Sequence, residues 1–295
     1  MKSKVTNQYN YTLGELEPVE KFDRSKTYLK VISEDKIHCG MIYKKGLNVD
    51  VLPFESDVTK TCVEGGLYFT NLEHICEFGN YGTRIAEISI PEDSKLVKDG
   101  DEKYRTDKFK ILKFWKINDF LKHVGFVHIG GYAYFNHLTS SKGFESLKSI
   151  GRDANFSSLT SSKGFESLKS IGGDAYFNHL KSSKGFESLK SIGGDAYFPD
   201  LKSSKGFESL ESIGGDAYFP DLTSGKGFES LETIGGDAYF PDLTSGKGFE
   251  SLGSIGGYAY FPGLTSGKGF ESLETIGGDA YFNYLKDTEF KNRFI

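Results

Sequence analysis

Eight leucines, Leu138, Leu159, Leu180, Leu201, Leu222, Leu243, Leu264 and Leu285, stand 21 residues apart and frame seven complete copies of one unit, residues 138–284, in a chain of 295. The unit reads L-[TK]-S-[SG]-K-G-F-E-S-L-x-[ST]-I-G-G-D-A-Y-F-x-x with few departures, and a partial copy, Gly130 to His137, precedes the first. A fixed period of this length means that each copy is one turn of a coil, which buries its apolar side only by stacking on its neighbours. Half of the chain is therefore expected to be a solenoid. Most of the 36 glycines and 25 phenylalanines lie in it.

Within a unit, the stretch from Asp174 to Asn178 alternates polar and apolar residues, the mark of a short half-buried strand. Ala175 and Phe177 should point inward, and Asp174 and Tyr176 outward. The preceding glycine pair, Gly172 and Gly173, suits a bend with positive φ. Phe165, Leu168 and Ile171 recur every third residue, as in a short helical or 3₁₀ segment packed behind the strand. The pattern L-x-x-I-G-G-x-A-x-F-x-x-L resembles an aberrant leucine-rich repeat with Phe in place of a consensus leucine and without the usual asparagine. That resemblance implies a solenoid with a parallel β-sheet face; a β-helical coil of similar pitch is the alternative.

A stack of this kind needs caps. The segment 114–129, with apolar residues at helical spacing over Phe114–Val124 and the only tryptophan, Trp115, is expected to cover the first coil, and residues 286–295 the last. The solenoid itself should span 130–285. Stacked parallel strands place equivalent residues about 4.8 Å apart, so every outward position becomes a column. One column is Tyr134, Asn155, Tyr176, Tyr197, Tyr218, Tyr239, Tyr260 and Tyr281; beside it run Tyr132, Asp153, Asp174, Asp195, Asp216, Asp237, Tyr258 and Asp279. A lysine column (Lys142 to Lys268) and a glutamate column (Glu145 to Glu271) are expected to pair with each other.

Charge is uneven along the array. From 138 to 200 there are 8 basic and 7 acidic side chains, and from 201 to 284 there are 5 and 12. The far end should attract a basic partner. The Tyr and Asp columns can be read as surface filler left by duplication or as a face that binds a protein, with Tyr134, Asp174, Tyr176, Asp195, Tyr197, Asp216, Tyr218, Asp237, Tyr239, Tyr260 and Tyr281 as contact residues. Catalysis on the coil is disfavoured, because near-identical units offer no unlike constellation.

Residues 1–24 form a polar lead, and 25–113 a separate α/β module. Strands are expected at 27–33, 41–43, 66–69, 84–90 and 108–112. A helix should start at Thr70, with Glu73 completing a capping box and Leu72, Ile75, Cys76 and Phe78 on one face. The strings HCGMIYKKGLNVDVLPF, CVEGGLYFTNLEHICEFGNYGTRIAEISIPEDSKLV and KYRTDKFKIL, over roughly 27–113, resemble the N-terminal module of mimivirus-type giant-virus repeat proteins. The resemblance implies a viral protein in the host cytoplasm or the virion, with one module fused to an interaction array. The order of His38-Cys39-Gly40, a G-L-Y-F strand, a helix and an E-I-S-I strand also resembles ADP-ribosyltransferases of the His-Tyr type. That likeness would place His38 on the nicotinamide ribose of NAD and Tyr68 against the nicotinamide ring, with Glu87 or Asp107 as candidates for a third polar residue.

His38, Cys39, Cys62, His74 and Cys76 lack the spacing of a zinc site, and no phosphate-loop or nucleophile motif occurs, so no metal and no cofactor beyond that NAD are expected. A formal net charge of −5 speaks against a nucleic-acid partner. An odd count of three cysteines fits a reducing compartment, and the absence of any long apolar run argues against a signal peptide, a membrane span or a membrane partner. The sequence thus favours a non-enzymatic interaction or adaptor protein. A repeat-targeted ADP-ribosyltransferase-like enzyme and a structural, self-assembling protein are the alternatives.

Overall fold

The computed structural model describes residues 22–38, 40–100 and 103–294. The polar lead up to residue 21 and Cys39 lie outside the described residues. The chain forms two compact units, Met1–Ile117 and Asn118–Ile295.

The first unit contains β1 (Tyr28–Ile32), β2 (Ile37–His38), β3 (Met41–Ile42), β4 (Gly46–Val49), β5 (Leu67–Phe69), a 3₁₀ helix (Ile75–Tyr81), β6 (Arg84–Ser89), β7 (Leu96–Asp99), β8 (Lys103–Thr106) and β9 (Lys108–Lys116). Besides the β2-β3 hairpin, two larger antiparallel sheets result, one ordered β1-β6-β9-β4 and one ordered β5-β8-β7. Leu29 and Thr70 join them by exchanging two backbone hydrogen bonds of 2.8 Å. Tyr28, Ile32, Phe69, Ala86, Ile88, Phe109 and Ile111 fill the core. Phe22 is also buried, stacked on Tyr28 with ring centroids 4.7 Å apart, so the end of the expected polar lead belongs to this core.

Two features differ from the sequence expectation, each because of a partner distant in sequence. Thr70 cannot cap a helix, because its backbone is committed to the bridge with Leu29. The segment therefore becomes a 3₁₀ helix whose N-cap, His74, makes no side-chain cap bond, and Leu72 is exposed. Gly82 closes the helix where a Cβ would stand 2.0 Å from the Ile32 carbonyl oxygen. Finally, Phe114 and Trp115 continue β9, and Trp115 donates its indole N–H to Glu87 on β6 at 2.7 Å, so both belong to a strand and not to a helix.

The second unit is a parallel-sheet β-solenoid with a 21-residue repeat. Each coil carries two strands of two residues, such as Ser170–Ile171 and Ala175–Tyr176. Equivalent strands pair in register into two eight-stranded parallel sheets, one from His128–Ile129 to Thr275–Ile276 and the other from Ala133–Tyr134 to Ala280–Tyr281. The second sheet accounts for Ile171, which belongs to a strand and not to a helical segment. Phe165 and Leu168 do lie in two successive three-residue turns, closed by Phe165 N–H to Ser162 O (3.0 Å) and Leu168 N–H to Phe165 O (2.9 Å). The arrangement fits the β-helical alternative.

The interior is six apolar columns, for example Leu180, Phe186, Leu189, Ile192, Ala196 and Phe198, each at most 1% exposed. Both phenylalanine columns stack along the axis, as in Phe177 on Phe198 (5.2 Å, 6°) and Phe186 on Phe207 (5.6 Å, 7°). They also mesh edge to face across the coil, Phe177 against Phe186 at 81°. Quadrupole-favoured contacts thus recur in both directions and add to the burial of each ring.

The glycines serve differently from the expectation. Positive φ belongs to the glycine of K-G-F, between 97° and 120° in Gly143, Gly164, Gly185, Gly206, Gly227, Gly248 and Gly269. The Gly-Gly pair is needed for close approach instead: a Cβ on Gly193 would lie 2.3 Å from Gly172 O, and one on Gly194 would lie 2.1 Å from the Asp174 carboxylate.

At the start of the unit, helix α1 (Ile117–Val124) sets Asn118, whose side-chain amide donates to Ser140 O (3.0 Å) and Lys142 O (2.8 Å). It replaces the bond that inner coils draw from the coil before, such as Ser162 Oγ to Lys184 O at 2.8 Å. At the far end, α2 (Thr288–Lys291) is capped by Asp287, which accepts from Phe290 N–H, and Phe290 packs on Phe270 and Phe282.

Candidate functional site

The Ala–Tyr sheet aligns the tyrosines because its strands pair residue to equivalent residue. From Tyr197 the rings form one stack: 4.7 Å to Tyr218, then 4.9 Å to Tyr239, 5.0 Å to Tyr260 and 5.3 Å to Tyr281, with planes within 10°. Tyr176 is tilted by 53° against Tyr197, because its hydroxyl turns to donate to Asp174 Oδ2 at 2.8 Å. That hydrogen bond, with burial and the charges of Asp174, Asp195 and Asp153, pushes its pKa up to about 12. Asn155 stands between Tyr134 and Tyr176 and separates Tyr134 from the column; Tyr134 stacks on Tyr132 instead.

The aspartate column has a structural role that sequence reasoning did not find. One oxygen of each acid accepts the backbone N–H of the equivalent residue in the next coil: Asp174 from Asp195 (2.9 Å), Asp195 from Asp216 (2.8 Å), Asp216 from Asp237 (2.7 Å) and Asp237 from Tyr258 (2.7 Å). The second glycine of the pair makes room for that carboxylate. With Asp153, which accepts from Asp174 N–H at 3.1 Å, five successive acids are thus held along the sheet edge by amide dipoles that offset their repulsion. Tyr176, Asp195, Tyr197, Asp216, Tyr218, Asp237, Tyr239 and Tyr260 line one groove of about 370 Å³, which Tyr258 also enters from the aspartate column. Tyr134, Asp174 and Tyr281 are on the same sheet but do not line it.

The lysine and glutamate columns do not pair among the described residues. Each glutamate turns back on its own coil, as Glu187 does in accepting from Gly185 N–H at 3.0 Å, and the lysine side chains stay in solvent.

In the first unit, His38 and Tyr68 line one cavity of about 190 Å³ together with Lys30, Cys62, Phe78, Tyr81 and Lys103. Burial, assisted by the Lys30 charge, lowers the His38 pKa. The Tyr68 hydroxyl is fixed by the Val63 backbone, accepting from its N–H and donating to its C=O, both at 2.8 Å. Lys103 Nζ stands 5.0 Å from the Tyr68 ring centroid, 2.7 Å from Cys62 Sγ and 3.3 Å from Asp99 Oδ1. Neither Glu87, which holds Trp115, nor Asp107, which accepts from Lys95 N–H at 2.8 Å, reaches the cavity. His38 and Tyr68 were named from the sequence; Lys30, a lone cation inside the apolar strand TYLKVIS, is a signal that the sequence reading missed. Cys62 and Lys103 gave none. Cys76 is buried and its thiol pKa raised, and His74 bonds Glu77 at 2.9 Å.

Comparison with known proteins gives partial matches to Acanthamoeba polyphaga mimivirus. The chain is 32% identical over 84 residues to "Putative ankyrin repeat protein R868", covering 27% of this chain and 42% of that one. It is 38% identical over 77 residues to "Putative ankyrin repeat protein R229" (24% of each chain), and 35% identical over 69 residues to "Uncharacterized protein R869" (23% of this chain, 50% of that one). The chain thus spans half or less of the length of these relatives. No family model and no solved structure matches it. No helix among the described residues is long and apolar enough to cross a membrane.

Proposed function

We propose that this chain is a non-enzymatic interaction protein of a giant virus, working in the host cytoplasm or the virion, which binds a protein partner through the Tyr/Asp groove of its solenoid. One observation carries this reading: the tyrosine stack from Tyr197 to Tyr281 runs beside Asp195, Asp216 and Asp237, each of which gives one carboxylate oxygen to a backbone N–H of the next coil while its side chain is exposed or only part-buried. Ring edges and phenol hydroxyls in a row supply contact area at low entropic cost, and the neighbouring acids select for basic side chains. The excess of 12 acidic over 5 basic residues in 201–284 adds long-range attraction for a basic partner. The function needs no cofactor. The full chain and a variant with Tyr176, Tyr197, Tyr218 and Tyr239 changed to Ser, used as baits in amoebal lysate, test it. A specific partner kept by the first and lost by the second is the expected result; equal recovery by both removes the groove.

A second reading, an ADP-ribosyltransferase-like enzyme targeted by the coils, is favoured by the convergence of His38 and Tyr68 on one cavity. Transfer of label from NAD to lysate proteins that is lost in both His38→Ala and Tyr68→Phe supports it, and no transfer excludes it.

A further inference from the structure

We infer that the occupant of the Tyr/Asp groove is a basic segment in the polyproline II conformation, with an arginine or lysine at every third residue. The inference rests on the reading of that groove as a protein-binding face, and it adds the conformation and the spacing of the partner.

The period of the coil selects the conformation. Strands of the Ala–Tyr sheet pair residue to equivalent residue, so each coil advances about 4.8 Å and two coils about 9.6 Å. A polyproline II helix rises about 3.1 Å per residue with three residues per turn, so side chains i and i+3 share one face about 9.3 Å apart. They keep step with alternate coils, such as those of Asp195 and Asp237. Same-face side chains of an extended strand recur about every 6.7 Å and fall between coils. An α-helix, at about 5.4 Å per turn, loses about 0.6 Å at every coil.

The chemistry agrees with this spacing. The tyrosine rings stack on one another, so their faces are used within the column and their edges and hydroxyls remain for a ligand. Those groups suit the carbonyls of a polyproline II backbone, which makes no hydrogen bonds of its own. Acids flank the tyrosines in sequence: Asp195, Asp216 and Asp237 precede them by two residues, and Asp200, Asp221 and Asp242 follow by three. Burial, the neighbouring Tyr197 and Tyr239 and the Asp221 charge raise the Tyr218 pKa, so the second acid column is felt at the rings. His179 bonds Asp200 at 3.2 Å, whereas Asp221 and Asp242 are exposed. No basic side chain lines the groove, and a basic ligand brings the missing sign.

Fluorescence anisotropy of labelled peptides with the full chain tests the inference. The probe is five repeats of Arg-Pro-Pro. Five repeats of Arg-Gly-Gly keep its charge and sequence spacing but not its conformation, and a permuted peptide of the same composition has no two arginines three residues apart. Five repeats of Glu-Pro-Pro reverse the charge. The expected result is saturable binding of the probe, binding at least about tenfold weaker for the Gly-rich and permuted peptides, and none for the acidic one. The double variant Asp195→Asn, Asp237→Asn keeps an oxygen for each backbone N–H and should weaken the probe about fivefold. No binding of the probe, equal binding of the Gly-rich or permuted peptide, or unchanged affinity in the double variant overturns the inference. If the four-serine variant loses its lysate partner while the probe does not bind the full chain, this inference fails and the groove stands. Equal binding of the probe to the four-serine variant removes the groove itself.

Discussion

In the solenoid many polar side chains bond the coil stacked on them, whereas in the first unit the buried Arg105 bonds unlike segments distant in sequence. Ser183 Oγ donates to Lys205 O (2.9 Å), Ser188 Oγ to Glu166 O (2.6 Å), and Asp195 accepts from Asp216 N–H (2.8 Å), each across one coil. Arg105, by contrast, reaches Asp57 O (2.9 Å), the Tyr68 hydroxyl (3.4 Å) and Asp99 (3.6 Å). Periodicity uses the same bond in every copy, so what it leaves over is a surface of columns. An aperiodic chain can bring several different groups to one point, so what it leaves over is a cavity. The two units therefore carry different kinds of hollow: a groove along the tyrosine column of the solenoid and a small enclosure among unlike elements of the first unit.

Substitutions can break that comparison. The largest contrast should come from charge. Arg105→Met removes a cation from buried Asp99 and should cost about 3–5 kcal/mol, whereas Lys163→Met, on an exposed side chain of a coil, should stay within about 0.5 kcal/mol, both read from urea unfolding. Loss of an equal effect at Lys163 and Arg105 is the check, since equal values would mean that the two units use charge alike. Next, Asp195→Ala leaves the Asp216 N–H without its acceptor and should cost about 1–2 kcal/mol, while Asp195→Asn keeps an oxygen there and should cost less than half of that. Equal losses would make the aspartate column electrostatic and not a set of caps.

The smallest effect is on pH. The folded pKa of Tyr176 is raised to about 12, so the folded state holds that proton more tightly than the unfolded chain does. Its contribution is complete below about pH 10 and declines as pH rises from about 10 to 12. Tyr176→Phe should flatten the alkaline fall of the urea midpoint in that window, and an unchanged slope would place the linkage elsewhere.

Most of the solenoid was legible because its period is long, regular and unambiguous. The Asp174–Asn178 alternation located the Ala–Tyr strand and its inward pair, and the strands at 27–33, 41–43, 66–69, 84–90 and 108–112 all occur with shifted ends. The second sheet was hidden because Ser-Ile is only two residues long, too short for a period to register. The role of the glycine pair was misread because positive φ and lack of space both demand glycine, and a sequence does not separate the two causes. In the first unit, the failed helix at Thr70 and the strand position of Trp115 were decided by partners distant in sequence, Leu29 and Glu87. The Tyr and Asp columns were legible as a face, but the bond from each acid to the next coil was not, since it depends on the register of stacked strands.

Amide hydrogen exchange on the full chain, with and without the partner that the tyrosine variant fails to retain, tests the central claim most directly. The account predicts protection of the Ala–Tyr strands from Ala196 to Tyr260 on binding, with the Ser/Thr–Ile strands of the same coils unchanged. Protection confined to the Ser/Thr–Ile sheet or to residues 22–117 would contradict it.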